Sequence, residues 1–375
     1  MITNFKYCPI IKTGDAELRA LSQLSSSVKD KMHPIIELTR GRKSAKDSKG
    51  DINKRIRKLI DIFPYNDFFL DITSDEALSN EDIMSFHSSK NGYSSWCEQC
   101  IALKNSFSKF YPVVQIEEEN DYSTYMTHLR TQVDCLLEHF EYIAFRSQDE
   151  KSAINIITDI NNLIKLRQQE NSDSSFLSRI IYILDYRYIN DSTTGIATAK
   201  LFIEKLAQIG IFNIIISATS FPMSVSEVMS DKDTKTVLPI KEISFFEKVK
   251  KESTNSKLNL IYSDYATANP LRNDNIVMAR GWIPRIDVPY KRDIYISRIK
   301  RGTSDYLTKY HEVAEQIVND DFFKNISNDI DCWGLTEIQR AAEGMVGGAA
   351  PSFWISVRIN IHLNSITKLM LKQFS

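Results

Sequence analysis

The chain has 375 residues, with 47 lysines and arginines against 48 aspartates and glutamates, and 42% of it is hydrophobic. A formal charge of −1 excludes a protein that coats nucleic acid by bulk electrostatics, and 12 glycines, well under the usual share, argue against glycine-rich phosphate cradles. No run approaches the roughly 18 apolar residues of a membrane span, the start Met1-Ile2-Thr3-Asn4 is unlike a signal peptide, and an odd count of five cysteines fits reduced thiols in a cytoplasm.

In chain order, a short apolar, β-branched run recurs, each followed by a longer polar or amphipathic stretch. The runs are Tyr7–Lys12, Met32–Leu38, Asp67–Ile72, Tyr111–Ile116, Glu141–Arg146, Ile180–Asp185, Asn213–Ser217 and Leu258–Asp264. They are too short for helices and almost continuously apolar, which predicts parallel strands buried on both faces. Helical spacing of apolar residues predicts helices over Asp15–Leu24, Ile52–Phe63, Ile154–Leu166 and Ala197–Ile209. Parallel neighbours need such crossovers. Eight units in about 260 residues match a (β/α)8 TIM-barrel-like α/β fold over residues 1–270. The rival, a doubly wound open sheet, usually opens with a Gly-rich turn, whereas Lys12-Thr-Gly-Asp-Ala-Glu17 holds one glycine.

After residue 270 the rhythm changes. Asn275–Ile283 and Arg292–Arg298 are expected to form two strands joined by a Pro-bearing turn. Helices are expected over Asp305–Val318, from Glu337, and over Ser352–Leu371. Residues 271–375 are therefore expected to be an α+β elaboration packed on the barrel.

In a barrel the active groups sit at the carboxyl ends of the strands. The residues closing the eight runs are Lys12, Glu37, Asp71, Gln115, Arg146, Asp185, Ser217 and Asp264, with Glu117 and Arg187 two places beyond. As an enzyme site, Glu37, Asp71 and Asp185 would hold Mg²⁺ through hard oxygens, Lys12 and Arg146 would clamp a phosphate, and Asp264 would act as base. Gln115, Arg187 and Ser217 would complete ligand binding. The competing reading is a closed network in which these opposite charges pair with one another and need no ligand.

Five weaker signals remain. Cys97-Glu-Gln-Cys100 has CxxC spacing but no second ligand pair, and is read as two helix-facing thiols. Arg280, Arg285, Lys291, Arg292 and Arg298, interleaved with Trp282, are candidates for nucleic-acid binding or a solvated hairpin. The stretch Arg40-Gly-Arg-Lys43 with Lys46 and Lys49 is expected to be a mobile loop at the barrel mouth, flexible or ordered only by a partner. Gly344, Gly347 and Gly348 lack a following Gly-Lys-Ser/Thr and suit a turn before the Pro351 helix start. His362 is read as a packed or capping histidine.

The order of motifs resembles the phage beta protein family. The carrying residues are Tyr7-x-Pro9-Ile-Ile-Lys12 with Glu17, Pro34-Ile-Ile-Glu37, Trp333-Gly334, Trp354 and Arg358-Ile-Asn-Ile-His362. The resemblance implies a prophage-borne anti-phage locus, with the chain serving as sensor, regulator or effector subunit beside a toxic partner protein. It supplies no catalytic residues. Two functions follow as expectations: an interaction subunit that binds other proteins of its defence locus, or an Mg-dependent enzyme acting on a phosphorylated ligand or a nucleic-acid end.

Overall fold

The computed structural model describes residues 5–117, 119–169, 174–230, 233–270, 282–299 and 305–373. Every one of the eight apolar runs contains a strand. The first four, β1 (Ile10–Lys12), β2 (Ile35–Leu38), β3 (Phe68–Ile72) and β4 (Phe110–Pro112), form one all-parallel sheet in chain order. A second parallel sheet pairs β5 (Ile143–Ser147), β6 (Ile180–Tyr188), β7 (Asn213–Thr219) and β9 (Asn259–Ser263).

Helices α1 (Asp15–Ser22), α2 (Ser26–Lys29), α3 (Asn53–Ile62), α4 (Glu81–His87), α5 (Lys90–Leu103), α6 (Tyr122–His139), α7 (Glu150–Gln169), α8 (Ile196–Gln208) and α9 (Lys241–Glu252) lie between these strands. Their apolar stripes share one large core with the outer faces of the sheets. The inner faces of both sheets meet in a separate apolar cluster, drawn from Ile10, Ile35, Phe69, Tyr111, Ala144, Ile181, Ile183, Ile215 and Ile261.

A complete (β/α)8 barrel does not form, because the sheets are not closed into one ladder. Among the described residues their edges meet at isolated parallel bridges, Tyr7 with Tyr262 and Val113 with Ala144, and the Ile10 N–H donates to the Asp264 carbonyl at 2.7 Å. On the second edge the Val114 N–H donates to the Ala144 carbonyl at 2.8 Å. Pro112, two places earlier on the same edge, has no N–H with which to extend that pairing.

The C-terminal region follows its expected order with shifted bounds. β10 (Arg285–Tyr290) and β11 (Asp293–Arg298) form an antiparallel hairpin around Lys291, whose φ is 53°. The described first strand of the hairpin runs from Arg285; Trp282 and Ile283 of the expected Asn275–Ile283 strand are not in a strand, and residues 275–281 lie outside the described ones. The hairpin gains a third strand from earlier in the chain, β8 (Lys235–Pro239), which pairs with β11. Helices α10 (Tyr306–Val318), α11 (Asp321–Asp329), α12 (Trp333–Ala342) and α13 (Pro351–Gln373) follow. Gly344 has φ 86° just past α12, and Pro351 opens α13, as the glycine-rich segment led us to expect.

Helix α13 ties the two regions together. Its Ile359, Leu363, Ile366 and Met370 lie in the large core, while Trp354, Val357 and Ile361 lie in a C-terminal core with residues of β10 and α10–α12. Gly334 sets the α12–α13 contact: a Cβ there would stand 2.6 Å from Ile361 and 2.7 Å from the Val357 carbonyl. Its N–H donates to Asn360 Oδ1 at 3.0 Å. That close approach gives the Trp333-Gly334 motif a physical reason.

Candidate functional site

Residues two apart on a strand share a face. The inner face that buries Ile35, Phe69, Ala144, Ile183 and Ile215 therefore carries Glu37, Asp71, Arg146, Asp185 and Ser217 at its carboxyl-terminal end. Four of these converge. Arg146 Nη1 donates to Glu37 Oε1 at 2.7 Å and to Asp71 Oδ2 at 2.8 Å, while Nη2 and Nε donate to Asp185 Oδ2 at 2.7 and 3.1 Å. Tyr265 OH donates to the same Asp185 oxygen at 2.5 Å and accepts from Arg146 Nη2 at 3.1 Å.

The second oxygens of Asp71 and Asp185 are also engaged. Gln115 Nε2 and the Ile72 N–H donate to Asp71 Oδ1, and the Arg187 N–H donates to Asp185 Oδ1. All of Glu37, Asp71, Arg146 and Asp185 are buried. Burial alone disfavours the guanidinium charge, but Glu37, Tyr265, Asp185 and Asp71 outweigh it and hold Arg146 protonated well above its ordinary range. Three carboxylates against one guanidinium leave the set with a formal charge of −2.

The opposite charges thus pair with one another. The guanidinium occupies the centre of the carboxylate set expected to ligate Mg²⁺, and among the described residues no group of three or more His, Cys, Asp or Glu is placed to hold a metal. Nor does Arg146 present a free charge to a phosphate. Lys12 stands apart at the rim, with Nζ 3.4 Å from the Pro270 carbonyl and 3.8 Å from Asp75. Ser217 is buried, and among the described residues its hydroxyl has no hydrogen-bond partner. Arg187 has left-handed backbone, φ 54°, and its Nε is buried without a hydrogen-bond partner among the described residues. Glu117 lies outside the network and accepts from the Ser89 N–H at 2.6 Å.

Asp264 does not belong to this set. It falls one residue out of step with Ser263 and Tyr265, so it points to the opposite face. There it accepts from Tyr7 OH (2.8 Å), Tyr262 OH (3.0 Å), the Ala266 N–H (2.9 Å) and His362 Nε2 (2.9 Å) on α13. Burial pushes this carboxyl up, yet His362, helped by Ala266 and Tyr7, holds it below the ordinary aspartate value. His362 is fully buried, as a packing histidine. The inner-face residue that the run-end rule missed is Tyr265. It lies past the end of β9, just before Ala266 and Thr267 with φ of 47° and 65°, where no strand pattern continues.

Close by, Glu242 accepts from the Ser220 N–H at 3.0 Å and Oγ at 2.5 Å. Burial pushes its carboxyl from 4.5 up to about 7, with Asp264 adding to the rise and Ser220 opposing it. Between those values the native state binds more protons than the unfolded chain, so stability falls as pH rises from 4.5 and the full penalty stands above 7. Glu242→Gln should therefore gain about 3 kcal/mol at pH 8 and nothing near pH 4, read by urea denaturation at the two values. Equal gains at both would refute the assignment.

A cleft of about 740 Å³ opens beside the Arg146 network. Asp71, Gln115 and Arg146 line its floor, and Tyr122 and Tyr125 of α6 and Asp159 of α7 line one wall. Tyr122 OH and Tyr125 OH donate to the two oxygens of Asp159 at 2.9 and 2.7 Å. Neither wall helix end nor Asp159 was singled out from the sequence, because a polar residue on an amphipathic helix resembles a solvated position.

The basic residues near the hairpin are largely engaged within the fold. Arg285 pairs with Asp287, Arg292 with both oxygens of Glu247, and Arg298 donates to the carbonyls of Asp233 and Ser230. Lys291 lies over the Tyr290 ring and Trp282 stacks on Tyr306. Arg280 lies outside the described residues. The Arg40–Lys49 stretch is ordered by the chain itself: the Gly41 N–H donates to the Gly50 carbonyl and Asp47 binds Lys54. Cys97 and Cys100 are buried in α5, where burial pushes both thiols up and away from reactivity.

No solved structure matches the chain. Protein beta of Enterobacteria phage P4 is 27% identical over 373 residues, covering 98% of this chain and 94% of that protein. With the Beta protein family matched from residue 7 to residue 368, this chain belongs to that family.

Proposed function

We propose that the protein is a component of a bacterial or prophage anti-phage defence system, acting in the cytoplasm as a regulatory or sensing interaction subunit that controls a toxic partner. In this reading residues 1–270 form a (β/α)8-like body, its two sheets sharing one inner cluster, and residues 271–375 pack on it. What supports a binding role over catalysis is the Arg146 network. Its carboxylates are taken up in holding a guanidinium, which makes a rigid, pre-formed floor for the cleft. Membership of a phage protein family supports the setting.

The test is co-purification of the tagged chain with the protein encoded beside it, paired with a phage-protection assay. Stable co-purification, and loss of protection when the contact is broken, are expected. A chain that purifies alone and still protects would reject the reading. The second reading, an Mg-dependent phosphoester hydrolase, draws its support from the cleft at the carboxyl ends of parallel strands. It requires that folded Glu37→Ala and Asp185→Ala variants lose protection while keeping the partner.

A further inference from the structure

We propose that the cleft between the strand ends and helices α6 and α7 takes a small organic cation, a guanidinium or primary ammonium group, with Asp159 as its counter-charge and the Tyr122–Tyr125 pair as its wall. This deepens the binding reading above and rests on it. Several charges along the cleft already have partners. Arg146 and Asp71 are bound to each other, and Glu119 is held by His128 at 2.8 Å. Asp159 differs: it is buried, two phenols donate to it, and no lysine, arginine or histidine among the described residues forms an ion pair with it.

A buried carboxylate without a cation is costly unless something compensates it. Burial accordingly pushes the Asp159 carboxyl up despite both phenols, the state that a bound cation would reverse. Beside it stand two aromatic rings 5.8 Å apart, one of them, Tyr122, about half exposed where a core residue would be covered. Ring faces next to a carboxylate suit a cation and not an anion. The floor adds to this preference, since the Arg146 set behind it is formally negative and repels phosphate. At about 740 Å³ the cleft has the size of a small-molecule site.

The experiment is calorimetric titration of the full chain with agmatine, with putrescine, and with inorganic phosphate as the anionic control. Saturable binding of at least one of the two cations and none of phosphate is expected, with affinity falling about tenfold or more in Asp159→Asn. Tyr122→Leu, at a position about half exposed, should weaken binding several-fold. Absence of binding by both cations at millimolar concentration overturns the proposal, as does unchanged affinity in both variants or preference for phosphate. A capped arginine peptide binding more tightly than agmatine would still support the site and would assign the cation to a partner's side chain. Failure here with partner binding intact would remove the ligand and leave the interaction role standing.

Discussion

Arg146→Met, which keeps much of the side-chain volume and removes the charge, is expected to destabilise the fold by about 3–5 kcal/mol. The loss comes less from the bonds themselves than from what stays behind. Glu37, Asp71 and Asp185 would remain buried within reach of one another, with no cation between them. Adding Glu37→Gln, Asp71→Asn and Asp185→Asn to the variant should recover much of the loss, because neutral amides bear burial better than unpaired carboxylates. Urea midpoints of the parent, the single variant and the quadruple variant decide this. A loss below about 1 kcal/mol for Arg146→Met would match an exposed ion pair and would contradict the buried network.

His362→Ala is the second change with a large expected effect, again about 3–5 kcal/mol at neutral pH, because it takes the Nε2 hydrogen-bond donor from a fully buried Asp264 carboxylate and leaves a cavity in the core. Tyr7 and Tyr262 would still donate to Asp264. The pH dependence has a definite sign. Asp264 is held below the ordinary value of 3.8 in the folded state, so its contribution is present above that pH and is lost as pH falls through the lower folded value. Without the imidazole, burial would raise the Asp264 carboxyl in the variant, so the gap between parent and variant should be widest at neutral pH, narrow as pH falls toward the ordinary aspartate range and close below the parent's lowered value. Denaturation midpoints across that range provide the check, and a gap that widens on acidification would contradict it. The expected loss also falls on the joint between the two regions, since α13 carries residues of both cores.

All eight parallel strands were legible as near-continuous apolar runs, because burial on both faces leaves no polar alternation to confuse the pattern. The residues closing those runs were legible for the same reason: the first polar position on the inner face is where the strand leaves the apolar cluster. That rule located Glu37, Asp71, Arg146 and Asp185 and failed at Asp264, where counting to the end of the run overshot by one residue and so changed faces. Pairing partners were not legible. Nothing local to Arg292 announces Glu247, 45 residues earlier, and nothing in Lys235–Pro239 announces a strand that joins a hairpin near the far end of the chain. Asp159 was hidden likewise, since its burial depends on tyrosines contributed by a different helix. Closure of the two sheets was not legible from run counts, since the edge that carries Pro112 is decided by one missing N–H.

The most direct test of the strand-end account is a crystal structure of the chain grown with MnCl2 and recorded at the manganese edge. The account predicts the Arg146 guanidinium within hydrogen-bond reach of Glu37, Asp71 and Asp185, and no anomalous peak among them. A manganese ion bound by those three carboxylates, with Arg146 swung away, would contradict it.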